Sequence, residues 1–187
     1  MAPPANTVAN DDSSISASPP YRQIRALHTP TTITVYQAYP ASIAGPAVAT
    51  QNLSASPDFL FTRMTWIKPS WNWMMYRSGY GLKDERQACI LAITMQREHF
   101  EGLLARACVS DGRTLLSEEQ RERTVRVQWD PERDVALQRL GWRSIQIGIG
   151  RTMSREWVAK MIVGIEVGTR KPSVPGGGLP ANMWLRT

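Results

Sequence analysis

The sequence predicts a single α+β domain with a mixed or mainly antiparallel sheet packed against helices. Three observations predict it. Apolar and polar residues alternate over 31–39, 124–129 and 142–149, the two-residue period of half-buried strands. Apolar residues recur at helical spacing over 97–109 and 155–167. The last strands follow each other with a short charged segment between them, as antiparallel neighbours do, rather than in steady strand–helix alternation. A chain of 187 residues suits one core.

Residues 1–20 are rich in Ser, Ala, Pro and Asn, lack periodicity, and are expected to form a disordered tail ending at Pro19-Pro20. The single domain is expected over 21–170. Tyr21, Ile24 and Leu27 fall at helical spacing, so 21–27 reads as a short helix with Arg22 and Arg25 sharing its other face. Such a pair can grip a phosphate or salt-bridge to the body of the protein. Thr31 to Tyr39, rich in Thr, Val, Ile and Tyr, is a strand, ended by Pro40. Ile43 to Leu53 reads as a helix with Pro46 near its start, where proline is tolerated.

The run from Arg63 to Gly79 is the densest mixture of aromatic and cationic side chains. Its first part, 63–68, favours a strand. Pro69 forces Lys68 out of the α region and suits the start of a helix. Ser70 to Ser78 is that helix, closed by Gly79. Trp71, Met74, Met75 and Ser78 make one mostly apolar face. A helix N-terminus with free N–H groups, flanked by Lys68 and Ser70, is the recipe for an anion site. The same residues also suit the centre of an ordinary core. Glycines on both sides of Tyr80 predict a mobile turn able to close over a ligand.

Gln87 to Met95 is a further strand. Arg97 to Val109 is an amphipathic helix with Phe100, Leu103, Leu104 and Ala107 inward. Ser110 to Arg123 is polar and charged. Thr124 to Trp129 is a strand with Arg126 and Gln128 on its polar face, followed by a charged turn at 130–134. In the last strand Ile145, Ile147 and Ile149 face inward, and Ser144, Gln146 and Gly148 outward. Ser154 caps a closing helix over 155–167 with Trp157, Met161 and Ile165 inside. Residues 171–187 read as a loose Gly/Pro-rich tail. Its triple glycine follows no strand and precedes no helix, so it is not a phosphate loop.

Charge indicates a ligand class. The net charge is +6, and 18 of the 22 cations are arginine. Arginine's planar fork suits phosphate and stacks on aromatic rings, here seven Trp and five Tyr. A nucleotide or nucleic acid partner is expected, with a merely solvated basic surface as the alternative. Two histidines and two cysteines, far apart in sequence, argue against a metal site. No Walker loop, dinucleotide fingerprint or nucleophile elbow is present. The N-terminus is unlike a secretory signal and the apolar runs are too short to span a membrane, so cytoplasm or nucleus is expected. Oligomeric state is not legible. The expected ligand-binding residues are Arg22, Arg25, Tyr36, Gln37, Lys68, Ser70, Trp73, Tyr76, Arg77 and Arg126.

Four stretches carry a family resemblance: Tyr21–Ala26, Ile33–Tyr39, Arg63–Ser70 together with Trp73–Gly79, and Val125–Arg133 together with Arg143–Gly148. They resemble the family of domains of unknown function numbered 4291, whose name implies no chemistry. A coarser layout is similar to ADP-ribosyltransferase-like domains: Tyr36-Gln37 on an early strand, a strand ending in a small polar residue, then a helix bearing Tyr76. That resemblance implies NAD as cofactor. The early-strand residue would be Arg25 or Gln37, the next Thr65 or Ser70, and the late one Gln128 or Glu132. Gln128, Glu132 and Thr65 are therefore the catalytic candidates of a nucleotide-dependent transferase. Two other classes stay open: a non-catalytic module binding nucleic acid or protein, and a small accessory protein with an apolar metabolite pocket.

Overall fold

The computed structural model describes residues 19–110, 117, 124–168 and 184–185. The expected tails, 1–20 and 171–187, lie outside these residues apart from 19–20 and 184–185, and most of 110–123 lies outside as well.

The described chain is an α+β domain. Its strands are β1 (Ile24–Arg25), β2 (Thr32–Tyr39), β3 (Thr65–Ile67), β4 (Cys89–Gln96), β5 (Ala107–Val109), β6 (Val125–Arg133), β7 (Arg139–Ile149), β8 (Ile162–Val167) and β9 (Trp184–Leu185). Its helices are α1 (Ala41–Thr50), α2 (Trp71–Ser78), α3 (Arg97–Ala105) and α4 (Arg151–Glu156), the last running into a wider turn at Trp157–Met161. The strands form a three-stranded sheet, β2-β4-β8, a four-stranded sheet, β3-β7-β6-β5, and a pair, β1-β9. Every pairing is antiparallel except β5 with β6.

Alternation explains which face is buried. Ile33 and Val35 on β2, and Leu91, Ile93 and Met95 on β4, point into the main core. Val125, Val127, Ile145, Ile147 and Ile149 face it from β6 and β7. Ile43, Phe100 and Trp157 add a side chain from each of α1, α3 and the turn after α4. A second, smaller cluster lies on the opposite face of β2 and β4, where Tyr36 and Ile90 meet Met74 and Met75 of α2. The helix therefore spends its apolar face on this minor core.

The strands expected at 31–39, 63–68, 87–95, 124–129 and 143–149 divide between two sheets. The sheets join at one bridge, where Tyr36 N–H donates to the Lys68 carbonyl (2.7 Å) and Lys68 N–H donates to that of Tyr36 (3.2 Å).

Several elements differ from expectation for identifiable reasons. Residues 21–27 are extended, not helical: Arg22 bridges to Arg143, and β1 pairs with β9. Pro46 sits mid-helix, because α1 starts at Ala41. Residues 107–109 leave the helix to pair with β6. The closing helix begins at Arg151 after a Gly150 cap, and 162–167 is a strand. Trp157, Met161 and Ile165 are all buried, so the stripe was real but its last member lies on β8. Ile162, Val163, Ile165 and Val167 are β-branched, which favours a pleated strand over another helical turn. No helix among the described residues is long and apolar enough to cross a membrane. No disulfide joins Cys89 and Cys108, both half-buried.

Candidate functional site

The site begins with a proline. Pro69 ends the extended segment of β3, and Ser70 takes the extended cap position of α2 (φ −80°, ψ 118°). The Ser70 hydroxyl accepts a hydrogen bond from Trp73 N–H (3.0 Å), satisfying one orphan donor of the first turn. The same hydroxyl donates to Glu132 Oε1 (2.8 Å). Gly79 closes the helix in the left-handed region (φ +58°).

Glu132 comes from β6, which does not stop at Trp129. Asp130 lies opposite Ser144 and Pro131 opposite Arg143, and the register then shifts between Pro131 and Arg133. Proline has no N–H for the ladder, and such an irregularity re-aims the next side chain. Glu132 is only 6% exposed. Its Oε1 also accepts from Arg133 N–H (2.8 Å). Burial pushes its carboxyl above the usual range; hydrogen bonds from Arg133 N–H, Ser70 and Ser144, and the Arg25 charge, oppose that.

Lys68 flanks the same helix head. It is 7% exposed, and Nζ lies 5.1 Å from the centre of the Trp73 ring. Its hydrogen bond to the Trp66 carbonyl is long, at 3.4 Å. The ion pairs among the described residues are Arg86–Asp84 and Arg97–Glu101, so Lys68 has no carboxylate at contact distance there. Burial brings its pKa down to about 7; Arg77 adds to the shift and Asp130 opposes it.

Behind Glu132 the polar face of the four-stranded sheet continues. Gln146 Nε2 donates to Gln128 Oε1 (2.8 Å) and to Asp130 Oδ2 (2.7 Å). Burial is the main cause raising the Asp130 carboxyl, against the Lys68 and Arg143 charges. Gly148 stands opposite Trp66 and Arg126, and a Cβ there would lie 3.0 Å from the Trp66 ring, so only glycine leaves that indole room.

The structure thus brings Lys68, Ser70, Trp73 and Glu132 together, with Arg25 acting on Glu132 and Arg77 on Lys68 through space. Other expected residues stand elsewhere. The Gln37 amide donates to Thr65 Oγ1 (2.6 Å) and the Trp66 carbonyl (2.9 Å) and accepts from Tyr39 (2.8 Å), so the chain itself occupies it. Tyr36 is 2% exposed among Met74, Met75 and Ile90, and burial pushes its phenol up to about 12. Tyr76 is exposed beneath the Arg133 guanidinium, 3.8 Å from its ring centre. Arg22 is exposed beside Tyr21, its backbone bridged to Arg143.

Asp130, Arg133, Arg143 and Ser144 join the site although sequence reasoning left them out of the ligand set. Reading 130–134 as a turn hid Asp130 and Arg133. The signal available was the alternation Arg126, Gln128, Asp130, Glu132, which runs unbroken through Pro131.

Among the described residues no three His, Cys, Asp or Glu side chains are grouped to hold a metal ion. A depression of about 220 Å³ lined by Phe61, Thr62, Arg151, Thr152 and Arg155 shares no residue with this cluster. The family model described as "Domain of unknown function (DUF4291)" matches residues 23–172. No curated protein matches the chain.

Proposed function

The chain belongs to the DUF4291 family, whose description names no activity, and on that premise we propose that the Glu132 cluster binds a phosphate-bearing nucleotide, with NAD as substrate of an ADP-ribosyltransferase-type transfer. The observation that carries this reading is the buried Ser70–Glu132 hydrogen bond at the head of α2, with Lys68 beside it and the Arg25 charge reaching the carboxylate. That Glu132 lies within β6 supports assigning it, rather than Gln128, to the late-strand Glu or Gln position of that layout.

Breaking the bond between nicotinamide and ribose leaves positive charge on the ribose. A preorganised carboxylate stabilises that charge, which is the part assigned to Glu132. Ser70 and the Arg133 N–H hold the carboxylate in place. Lys68, Arg25 and the first N–H groups of α2 supply the positive field for the pyrophosphate. Thr65, engaged by Gln37, and Gln128, engaged by Gln146, act as supports rather than reacting groups.

The test is nicotinamide release from NAD by the full chain and by Glu132→Gln. The amide keeps an acceptor for Ser70 and Arg133 N–H but loses the charge. The expected result is a fall in rate of about 10²–10³-fold, the usual cost of removing one stabilising group, with an unchanged melting temperature. An equal rate in the two proteins, or no NAD binding at millimolar concentration, removes this reading.

A further inference from the structure

At the outer end of β7, cationic side chains lie against aromatic rings. Arg143 Nε donates to the Tyr21 hydroxyl (2.6 Å), its guanidinium lies 5.4 Å from the Tyr21 ring centre, and NH1 donates to the Trp129 carbonyl (2.9 Å). Arg25 lies 5.2 Å from the ring centre of Trp142. Arg22 and Arg139 are both exposed, and both, with Arg143, favour the ionised form of Tyr21. The backbone fixes the arrangement, because Arg143 N–H donates to the Tyr21 carbonyl (2.7 Å) and Arg22 bridges to Arg143.

The Arg143 contacts go to neutral oxygens. They orient the guanidinium without cancelling its charge. The ion pairs among the described residues use none of Arg22, Arg139 and Arg143. The carboxylate acting on Arg143 is Asp130, through space and not at ion-pair distance. Tyr21 is 55% exposed, so its ring is open to a further flat group.

We infer that this platform of Tyr21, Arg22, Arg139 and Arg143 binds single-stranded nucleic acid, the guanidinium groups taking phosphates and the Tyr21 ring taking a base. Arginines alone would suit any polyanion. The exposed Tyr21 ring set among them favours unpaired bases, which stack on aromatic faces whatever their sequence. An acidic peptide has no flat groups for that ring, and a duplex keeps its bases covered. Arg143 borders the Glu132 cluster through Asp130, whereas Tyr21, Arg22 and Arg139 are no part of it, so variants at those three test this reading separately from the proposed nucleotide site.

The test is fluorescence anisotropy of labelled fifteen-nucleotide oligo(dT) and oligo(U) with the full chain, titrated against salt. With roughly three phosphate contacts, log affinity should fall against log salt with a slope of about −2, from a factor near 0.7 per contact on single strands. Arg22→Glu with Arg139→Glu, both exposed, should weaken binding tenfold or more and flatten the slope. Tyr21→Ala should weaken binding severalfold at unchanged slope. Since Tyr21 also anchors Arg143, circular dichroism checks its fold, and Tyr21→Phe should keep affinity through the ring. No binding at 25 mM salt, a flat salt response, equal binding of duplex, or equally effective displacement by polyglutamate overturns the inference. Nicotinamide release should be unchanged in Arg22→Glu/Arg139→Glu, which distinguishes failure here from failure at Glu132.

Discussion

Lys68 shows how one side chain turns burial into a pH response. Its folded pKa, about 7, is below the ordinary 10.5. Between these values the unfolded chain holds a proton that the folded chain does not, so stability rises with pH across that window. Below about pH 7 the folded state carries the full cost of the buried charge, of the order of a few kcal/mol. Lys68→Met keeps the length and packs on Trp73 without charge. It should raise the melting temperature at pH 6 more than at pH 9; an equal gain at both would show that the lysine is charged throughout. A bound anion favours the charged lysine, so affinity for sulfate, whose own charge is constant over this range, should fall as pH rises from 6 to 8.5, and this fall should vanish in Lys68→Met.

At the scale of the element, α2 is eight residues long and would be marginal alone. Three side chains fasten it to segments far away in sequence. Ser70 reaches Glu132, Asn72 Nδ2 donates to the Arg133 carbonyl (3.0 Å), and Trp71 Nε1 donates to that of Gly168 (2.8 Å). Ser70→Ala should therefore cost about 1–2 kcal/mol in urea denaturation, the upper range of a lost cap. A helix cap alone would accept aspartate in place of serine. Here aspartate would face Glu132 across a hydrogen-bond distance, and like charges repel. Ser70→Asp should be less stable than Ser70→Ala at pH 7 and recover at pH 4; the reverse order at pH 7 would mean that Glu132 does not face the cap. The helix ends were legible because caps and prolines are local. The 162–167 segment was not, because its apolar stripe fits both a helix and a helix followed by a strand.

Across the whole molecule, two sheets must be held edge to edge near the site. One backbone bridge joins Tyr36 to Lys68, and Gln37 adds a side-chain clasp from β2 to Thr65 and Trp66 of β3. Gln37→Ala would leave the Trp66 carbonyl, the Thr65 hydroxyl and the Tyr39 phenol short of a partner. Leaving such groups unsatisfied costs about 1–3 kcal/mol. Denaturant unfolding should show that loss as a lower midpoint with unchanged slope. Faster amide exchange at Lys68 than at the centre of β4 would place the loss at the seam between the sheets. An unchanged midpoint would mean that water replaces the clasp without cost.

The sequence by itself determined the parts whose physics is local. Pro69, Ser70 and Gly79 delimit α2; alternation marks β2, β6 and β7; and the excess of arginine over lysine sets the character of the surface. It also offered Lys68 and Ser70 as ligand-binding candidates, and Glu132, through a resemblance, as a catalytic one. Only the tertiary structure decided that they meet. Ser70 and Glu132 are 62 residues apart, and their contact depends on β6 continuing past Pro131 because β7 pairs with it as far as Arg139. A proline and a run of charges read locally as a turn. The partner strand's hydrogen bonds outweigh that preference, and no local pattern records which strand will be the partner.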